Sequence, residues 1–161
     1  MIIKLNKNIL EVDQFQFKCC IGKNGLSKNK VEGDKKTPSG LFKLGRLFYR
    51  SDKLKIVKTK LEKKIINPKM GWCDDPNNKY YNQLVNRKIN KKSEKLFRHD
   101  YKYDLLVEIL YNHNPIKKNK GSAIFLHLTK NYQPTLGCIA LRKNDFKILL
   151  KLVNRNTYIK I

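Results

Sequence analysis

The sequence predicts a mostly β fold with one or two short helices. Short runs that alternate apolar and polar residues recur along the chain, separated by turn residues such as Asn, Gly and Pro. Two largely apolar runs, LLVEILYN and AIFLHL, have the composition of central, buried strands. With 161 residues the chain has the length of one domain that buries a substantial core. We therefore expect a single domain over residues 1–161.

The first half of the chain predicts strands and loops in turn. Residues 2–21 contain the β-type runs IIKLN, ILEV and FKCCIG, which predict an antiparallel meander. A loop follows, and LFKLGRLFYR then resumes a strand. The Lys-rich segment 53–69 fits either a strand pair or a frayed helix, and residues 71–92 predict a long structured loop. Ser93 is a candidate N-cap for a short helix that comes next.

The C-terminal part predicts a helix and a final strand. In DFKILLKLVN the apolar residues recur at helical spacing from Phe146 to Val153, and Asn144 and Asp145 are candidate caps. The last residues, TYIKI, alternate as a strand does. We expect this segment to close the sheet as an edge strand.

The charge of the chain is strongly positive. Lys and Arg number 36 against 13 Asp and Glu, which gives a net charge of +23 and attracts polyanions. The lysines are scattered, and the sequence has no zinc finger, RNP-type aromatic motif or helix-turn-helix signature. We interpret the charge as a solvated basic surface and expect no specific nucleic-acid partner.

The cysteines and the N-terminus limit the remaining classes. Cys19, Cys20, Cys73 and Cys138 lack the spacing and the paired histidines of a zinc site, and a chain this long needs no disulfide framework. We expect neither a metal nor an organic cofactor. The N-terminal apolar run is interrupted by Lys and Asn, so no signal peptide is visible, and no stretch reaches transmembrane length.

Residues 123–141, AIFLHLTKNYQPTLGCIAL, are the most informative segment. His127 ends one apolar strand, Cys138 begins the next, and a turn rich in Asn, Gln and Pro joins them. A hairpin-like return would set the imidazole beside the thiol, as thiol acyl transfer requires. A buried core histidine and a small buried cysteine are the common alternative for such residues.

A second segment, GDKKTPSG at residues 33–40, adds to this pair. With the later T-x-G-C-I-A-L it makes the sequence resemble the catalytic domain of the L,D-transpeptidases (YkuD-like). That family carries an early G-x-x-x-T-P-x-G element, a later His and a Ser/Thr-x-Gly-Cys signature. Leu136 and Ala140 depart from the family pattern and indicate a divergent branch. The matching residues are Gly33, Thr37, Pro38, Gly40, His127, Thr135, Gly137 and Cys138.

The resemblance implies a β-sandwich-like L,D-transpeptidase catalytic fold and a cysteine mechanism. Cys138 would be the nucleophile, and His127 would act first as its base and then as the proton donor to the leaving amine. The amide N–H groups around Gly137 and Cys138 could form the oxyanion hole. In the family the imidazole is often oriented by a main-chain carbonyl or by a small hydroxyl residue near the cysteine, so Thr135 is the local candidate. A simple turn role after Pro134 fits Thr135 equally well.

The candidate substrate-binding residues come from three places. The Gly-bounded TPSG loop flanks the active-site cleft in the family, although an ordinary turn also has this composition. The GWCDDP segment would line a groove for a stem peptide, while a tryptophan core anchor and loop-ending aspartates fit it equally. An arginine after Ala140 could bind a substrate carboxylate or be an ordinary surface residue. These residues are Thr37, Pro38, Gly40, Trp72, Asp75 and Arg142.

The activity that the resemblance implies is L,D-transpeptidation of peptidoglycan stem peptides through a thioester on Cys138. With water as the acceptor the same chemistry gives an L,D-carboxypeptidase or amidase, and the sequence does not separate the two. A basic polyanion-binding module with inert Cys138 and His127 is the alternative from another class. We expect a monomer, located in the periplasm or cell envelope by resemblance, even though no signal peptide is visible.

Overall fold

The computed structural model describes residues 1–55 and 57–161, and it confirms the mostly β class. Within these residues one α-helix, α1, spans Lys143–Leu152. The strands are β1 (Ile2–Asn6), β2 (Ile9–Val12), β3 (Phe15–Cys20), β4 (Leu26–Ser27), β5 (Thr37–Pro38), β6 (Leu41–Tyr49), β7 (Lys63–Ile65), β8 (Met70–Trp72), β9 (Leu84–Asn86), β10 (Glu94–Lys95), β11 (Leu105–Ile109), β12 (Phe125–Leu128), β13 (Ile139–Leu141) and β14 (Tyr158–Lys160).

The main sheet closes on itself through the long strand β6. Its order is β11-β12-β13-β3-β2-β1-β14-β6-β7, and β11 also pairs with β6. Residues 41–43 of β6 pair with β14, whereas residues 44–49 pair with β11. Closure protects strand edges that would otherwise expose unpaired backbone groups. The apolar side chains inside include Ile3, Leu10, Leu47, Leu105 and Ile139, and each contributes roughly 1.5–3 kcal/mol by its burial.

The predicted meander is confirmed, but the predicted edge position of TYIKI is wrong. Strands β1, β2 and β3 pair antiparallel in sequence order. Strand β14 lies between β1 and β6, parallel to the first and antiparallel to the second. The exposed, buried, exposed alternation of β14 reports that one face of the strand is solvated. It carries no information on how many neighbours the backbone has, and for this reason the edge assignment failed.

The helix predicted after Ser93 is also wrong, since this segment forms strand β10. Strands β10, β8 and β9 make a small separate sheet, in which Glu94 pairs with Trp72. The Ser93 hydroxyl donates to the carbonyl of Asn90 at 2.6 Å and caps no helix. The loop predicted over 71–92 thus contains part of β8 and all of β9. Strands of three residues are too short for a periodic pattern to reveal them.

The Lys-rich segment 53–69 contributes the short strand β7, which pairs parallel to β6. One residue of that segment, Ile56, lies outside the described residues.

Helix α1 is where the apolar spacing placed it. Its buried residues Phe146, Leu149 and Leu150 face the sheet. The N-cap position is Arg142, so Asn144 and Asp145 lie within the first turn and do not cap the helix as predicted. In the described part of the chain, no helix combines the length and apolar character needed to cross a bilayer.

Candidate active site

His127 and Cys138 lie on neighbouring strands that run parallel. Leu126 is opposite Ile139 and His127 is opposite Ala140, so the predicted hairpin-like return is wrong. The turn residues between β12 and β13 indicate that the chain changes direction. They do not reveal that the connection runs back along the sheet, so that β13 starts at the same end as β12 and lies parallel to it. Residues paired across parallel strands share a face, as do residues two apart on one strand. The register therefore places Cys138, which is two positions before Ala140, on the same face of the sheet as His127.

An aromatic cluster surrounds both side chains. Cys138 packs with Trp72, Tyr103 and Phe125, and the edge of Tyr103 meets the His127 ring with a centroid distance of 5.4 Å. Cys138 is 8% exposed and His127 is 7% exposed, so water barely reaches either group. In such a site charges are stabilised poorly, and the neutral forms of both groups are favoured.

The imidazole of His127 is oriented by the main chain. Its Nδ1 lies 3.0 Å from the carbonyl oxygen of Leu128. A proton on Nδ1 donates there and leaves Nε2 with the free lone pair that a base needs. Burial lowers the pKa of His127 to about 4, so the ring is neutral at neutral pH.

The thiol of Cys138 is protonated in the resting site. Its Sγ donates to the carbonyl oxygen of Ala123 at 3.2 Å. Burial raises the pKa of Cys138 to about 12, and the charge of Glu94 acts in the same direction. The Phe125 backbone and the Lys30 ammonium oppose this effect only in part. The resting pair is thus a neutral thiol and a neutral imidazole, not a thiolate–imidazolium ion pair.

This resting state predicts the pH dependence of alkylation. We expect the rate at which iodoacetamide modifies Cys138 to rise continuously from about pH 6 to about pH 9, because only the thiolate reacts and its population grows toward a high pKa. Intact-mass and peptide mass spectrometry against pH would measure the rate. A rate that is already constant at about pH 6 would instead indicate a preformed ion pair.

Thr135 organises the turn that carries Cys138. Its hydroxyl donates to the carbonyl of Cys138 at 2.6 Å and accepts the N–H of Gly137 at 3.1 Å. The orienting contact predicted between Thr135 and the imidazole is therefore supplied by the Leu128 carbonyl instead. The Gly137 N–H already donates to Thr135, so of the two predicted oxyanion donors the Cys138 amide is the one that stays a prediction.

The two sequence motifs meet at this turn. Gly137 has φ +141°, and a Cβ on it would stand 2.9 Å from the carbonyl oxygen of Lys36, so a larger residue would clash. Thr37 is fully buried, and its hydroxyl accepts the N–H of Gly22 at 2.9 Å. Gly22 in turn forms a parallel bridge with Thr135. The loop that contains Thr37 therefore packs against the Cys138 turn, both through Gly22 and through the Lys36 carbonyl.

The end of the same motif lies elsewhere. Pro38 is buried in β5, which pairs with β4. Gly40 exchanges two backbone hydrogen bonds of 2.9 Å with Ile161, at the point where β6 begins. Gly40 thus joins the start of β6 to the C-terminal residue of the chain, and neither of these hydrogen bonds involves Cys138.

Trp72, Asp75 and Arg142 occupy different surroundings. Trp72 is buried, and its Nε1 donates at 2.9 Å to Oδ1 of Asn82, which also accepts the Ala123 N–H at 3.0 Å. Trp72 therefore anchors the segment whose carbonyl accepts the Cys138 thiol. Asp75 is exposed and accepts the N–H of Asn77 at 2.9 Å in a local turn. Arg142 is exposed, with its guanidinium 5.1 Å from the Tyr132 ring centroid. Substrate binding by these three residues stays a prediction.

Acidic residues near the thiol escaped the sequence analysis. Burial and then the charge of Glu94 keep the pKa of Tyr103 far above its ordinary value, and its hydroxyl donates to Glu94. Burial raises the pKa of Glu94 too, and the charges of Asp74 and Glu32 add to this rise. Glu32 accepts the hydroxyl of Ser122 at 2.7 Å, next to Ala123. Glu94 lies in the segment that was assigned to a helix, so no local pattern pointed to it.

Two open cavities lie away from the thiol. They measure about 440 and 420 Å³ and share Leu110 and His113, and neither is lined by Cys138 or His127. The low exposure of Cys138 follows from its aromatic neighbours, which leave little of the thiol open to solvent.

Comparison with known proteins supplies a family and a fold. The family model YkuD, L,D-transpeptidase catalytic domain, matches residues 2–161. No curated protein matches the chain. The fold is similar to the crystal structure of the helical cell shape determining protein Pgp2 from Campylobacter jejuni, with a TM-score of 0.56, 20% identity, and coverage of 99% of this chain and 46% of that one. A point mutant of Pgp2 gives a TM-score of 0.55 at 20% identity, with 99% and 45% coverage. The chain thus spans just under half the length of these structures, and at this identity the likeness shows the fold alone.

Proposed function

The chain belongs to the YkuD family of L,D-transpeptidase catalytic domains, and from this premise we propose that it forms peptidoglycan cross-links by acyl transfer through a thioester on Cys138. The observation that carries the proposal is the placement of His127 and Cys138 on one face of two paired strands. A base with a free Nε2 and a thiol protected from water are what this chemistry needs. We propose the cell envelope as the location and a monomer as the working form.

The first half-reaction acylates the enzyme. As Sγ of Cys138 attacks the carbonyl carbon at an L-centre of the donor stem, its proton passes to Nε2 of His127. The oxyanion accepts a hydrogen bond from the Cys138 amide. When the C–N bond breaks, His127 returns the proton to the leaving amine and the thioester remains. Since both groups are neutral at rest, proton transfer accompanies attack on a bound substrate and does not precede it.

The second half-reaction passes the acyl group to an amine. The amine attacks the thioester carbonyl, gives its proton to Nε2, and expels the sulfur, which recovers the proton from His127. Glu94, whose charge acts on the Cys138 thiol, can accept a hydrogen bond from the neutral acceptor amine and orient its lone pair toward the thioester. Water can be held in the same way, so product analysis decides between the two acceptors.

Product analysis tests the choice of acceptor. The protein is incubated with purified disaccharide-peptides and the products are read by mass spectrometry. We expect cross-linked dimers joined by a new amide bond. Shortened stems without dimers would instead establish hydrolysis, and unchanged substrate would contradict both forms of the proposal.

Salt separates acyl transfer from polyanion binding. We expect binding of DNA or RNA to be weak and to disappear toward physiological salt, because scattered lysines release counterions without reading bases. Turnover should persist over the same range, since short-range hydrogen bonds in a cleft are barely screened. Both are measured on one preparation. A nucleic-acid complex that survives physiological salt, with no acyl-enzyme on Cys138, would favour the binding module.

A further inference from the structure

Lys30, beside the turn that carries Cys138, is a buried charged side chain that the mechanism above does not use. It is 4% exposed, and its Nζ donates to Oδ1 of Asp34 at 2.6 Å and to the carbonyl oxygen of Lys36 at 2.8 Å. Lysine is almost never fully buried unless it is paired, because desolvating the ammonium costs free energy. The chain has 36 Lys and Arg, most of which can stay in water. The burial of Lys30 therefore needs its own local explanation.

Lys30 lies where three segments meet. Its methylenes cover Gly121, where a Cβ would stand 2.7 Å from Cε of Lys30. Its Nζ lies 3.5 Å from the position that a Cβ on Gly137 would take. The Lys36 carbonyl, which accepts from Nζ, is 2.9 Å from that same position. Both hydrogen bonds of the ammonium lie within the loop of residues 30–36, so the ammonium holds that loop in shape where it packs against the turn that carries Cys138.

The charge of Lys30 also acts on the thiol. Burial and the Glu94 carboxylate disfavour the thiolate of Cys138, whereas the Lys30 ammonium lowers the pKa of that thiol. Burial raises the pKa of Asp34, but hydrogen bonds from Lys30 and from the Val31 and Lys36 amides outweigh it, so the carboxyl stays ionised at neutral pH. Lys30 is therefore held in place by a carboxylate on the side of the loop, with Gly137 and Cys138 on its other side.

We propose that Lys30 is a positioning residue for acyl transfer, which holds the 30–36 loop in shape against the Gly137–Cys138 turn and whose positive charge favours the thiolate as the proton leaves Sγ. This inference rests on the proposed function, because it needs Cys138 as the nucleophile. No bond to Lys30 forms or breaks in the reaction. Its effect reaches the substrate only through the position and charge of Cys138.

The test uses variants that remove the charge and keep the bulk. Lys30→Met keeps the length of the side chain but leaves Asp34 unpaired. Lys30→Met combined with Asp34→Asn removes that unpaired carboxylate, and its single amide oxygen can serve one of the Val31 and Lys36 amides, which bond to different oxygens of Asp34. Lys28→Met is the matched control, since Lys28 is exposed and only two residues away. The rate of iodoacetamide reaction at Cys138 is measured against pH for each protein, together with its Tm.

We expect alkylation of Cys138 between about pH 6 and about pH 9 to be severalfold slower in Lys30→Met than in the wild type, because loss of the ammonium disfavours the thiolate. Lys28→Met should match the wild type. A folded Lys30→Met protein that is alkylated at the wild-type rate at every pH would show that Lys30 only packs, and this would overturn the proposal. Loss of the folded state in both variants would overturn the proposal as well, because Lys30 would then be needed for folding and no separate role at Cys138 would be required to explain its burial. Failure of the proposed function is distinguishable, since the wild type itself would then form no thioester with disaccharide-peptides.

Discussion

Cys138→Ala is expected to abolish turnover and to leave the fold intact. The change removes the only atom that can hold the acyl group, so no thioester can form. Its structural effect is small, because only the sulfur is removed from a small side chain in an apolar cluster and one hydrogen bond to Ala123 is lost. We expect a loss of about 1 kcal/mol in the free energy of unfolding. Product formation and Tm are measured on the same sample.

The chain offers matched controls for this variant. Cys19, Cys20 and Cys73 are also free and buried, so Cys19→Ala, Cys20→Ala and Cys73→Ala perturb the core in a comparable way. Each should retain turnover. If Cys138→Ala still formed product at the wild-type rate, the thioester mechanism would be wrong.

His127→Gln is expected to slow acylation by about two orders of magnitude or more, the usual contribution of a positioned base. Glutamine keeps a polar side chain of similar length whose amide lies near the position of Nε2, so the proton acceptor is lost and the contact of Nδ1 with the Leu128 carbonyl is lost with it. The rate of acyl-enzyme formation is followed by rapid quenching and intact-mass analysis.

His99→Gln and His113→Gln are the controls, because both histidines are exposed and lie outside the aromatic cluster around Cys138. Their acylation rates should equal that of the wild type. An unchanged rate in His127→Gln would remove His127 from the mechanism and would leave the aromatic contact with Tyr103 as its main role.

Elements with a local signature could be predicted from the sequence. The meander of β1 to β3 follows from alternation and turn residues, and α1 follows from apolar residues at helical spacing. His127 and Cys138 could be found because each stands at the end of an apolar run, next to the residues that carry the family resemblance. In these cases the information lies in neighbouring residues of the chain.

Features that depend on pairing between distant segments could not be predicted. The parallel register of β12 with β13 and the inner place of β14 are decided by which strands bury their faces together. The partnership of Tyr103 with Glu94 joins two residues nine positions apart in a segment that was assigned to a helix, and it depends on that segment forming a strand and a loop instead. Lys30 is indistinguishable by sequence from the many solvated lysines around it, and only its burial sets it apart.

The central claim is that Cys138 carries the acyl group, and the mass of the intact protein tests it most directly. The protein is mixed with a disaccharide-tetrapeptide donor whose own free amine is blocked by acetylation, so that no acceptor amine is present, then quenched in acid and digested for peptide mapping. We predict an added mass that equals the donor acyl group, located on Cys138, absent from Cys138→Ala and retained in Cys73→Ala. A donor that is consumed while Cys138 carries no adduct at any time, or an adduct on another residue, would contradict the account.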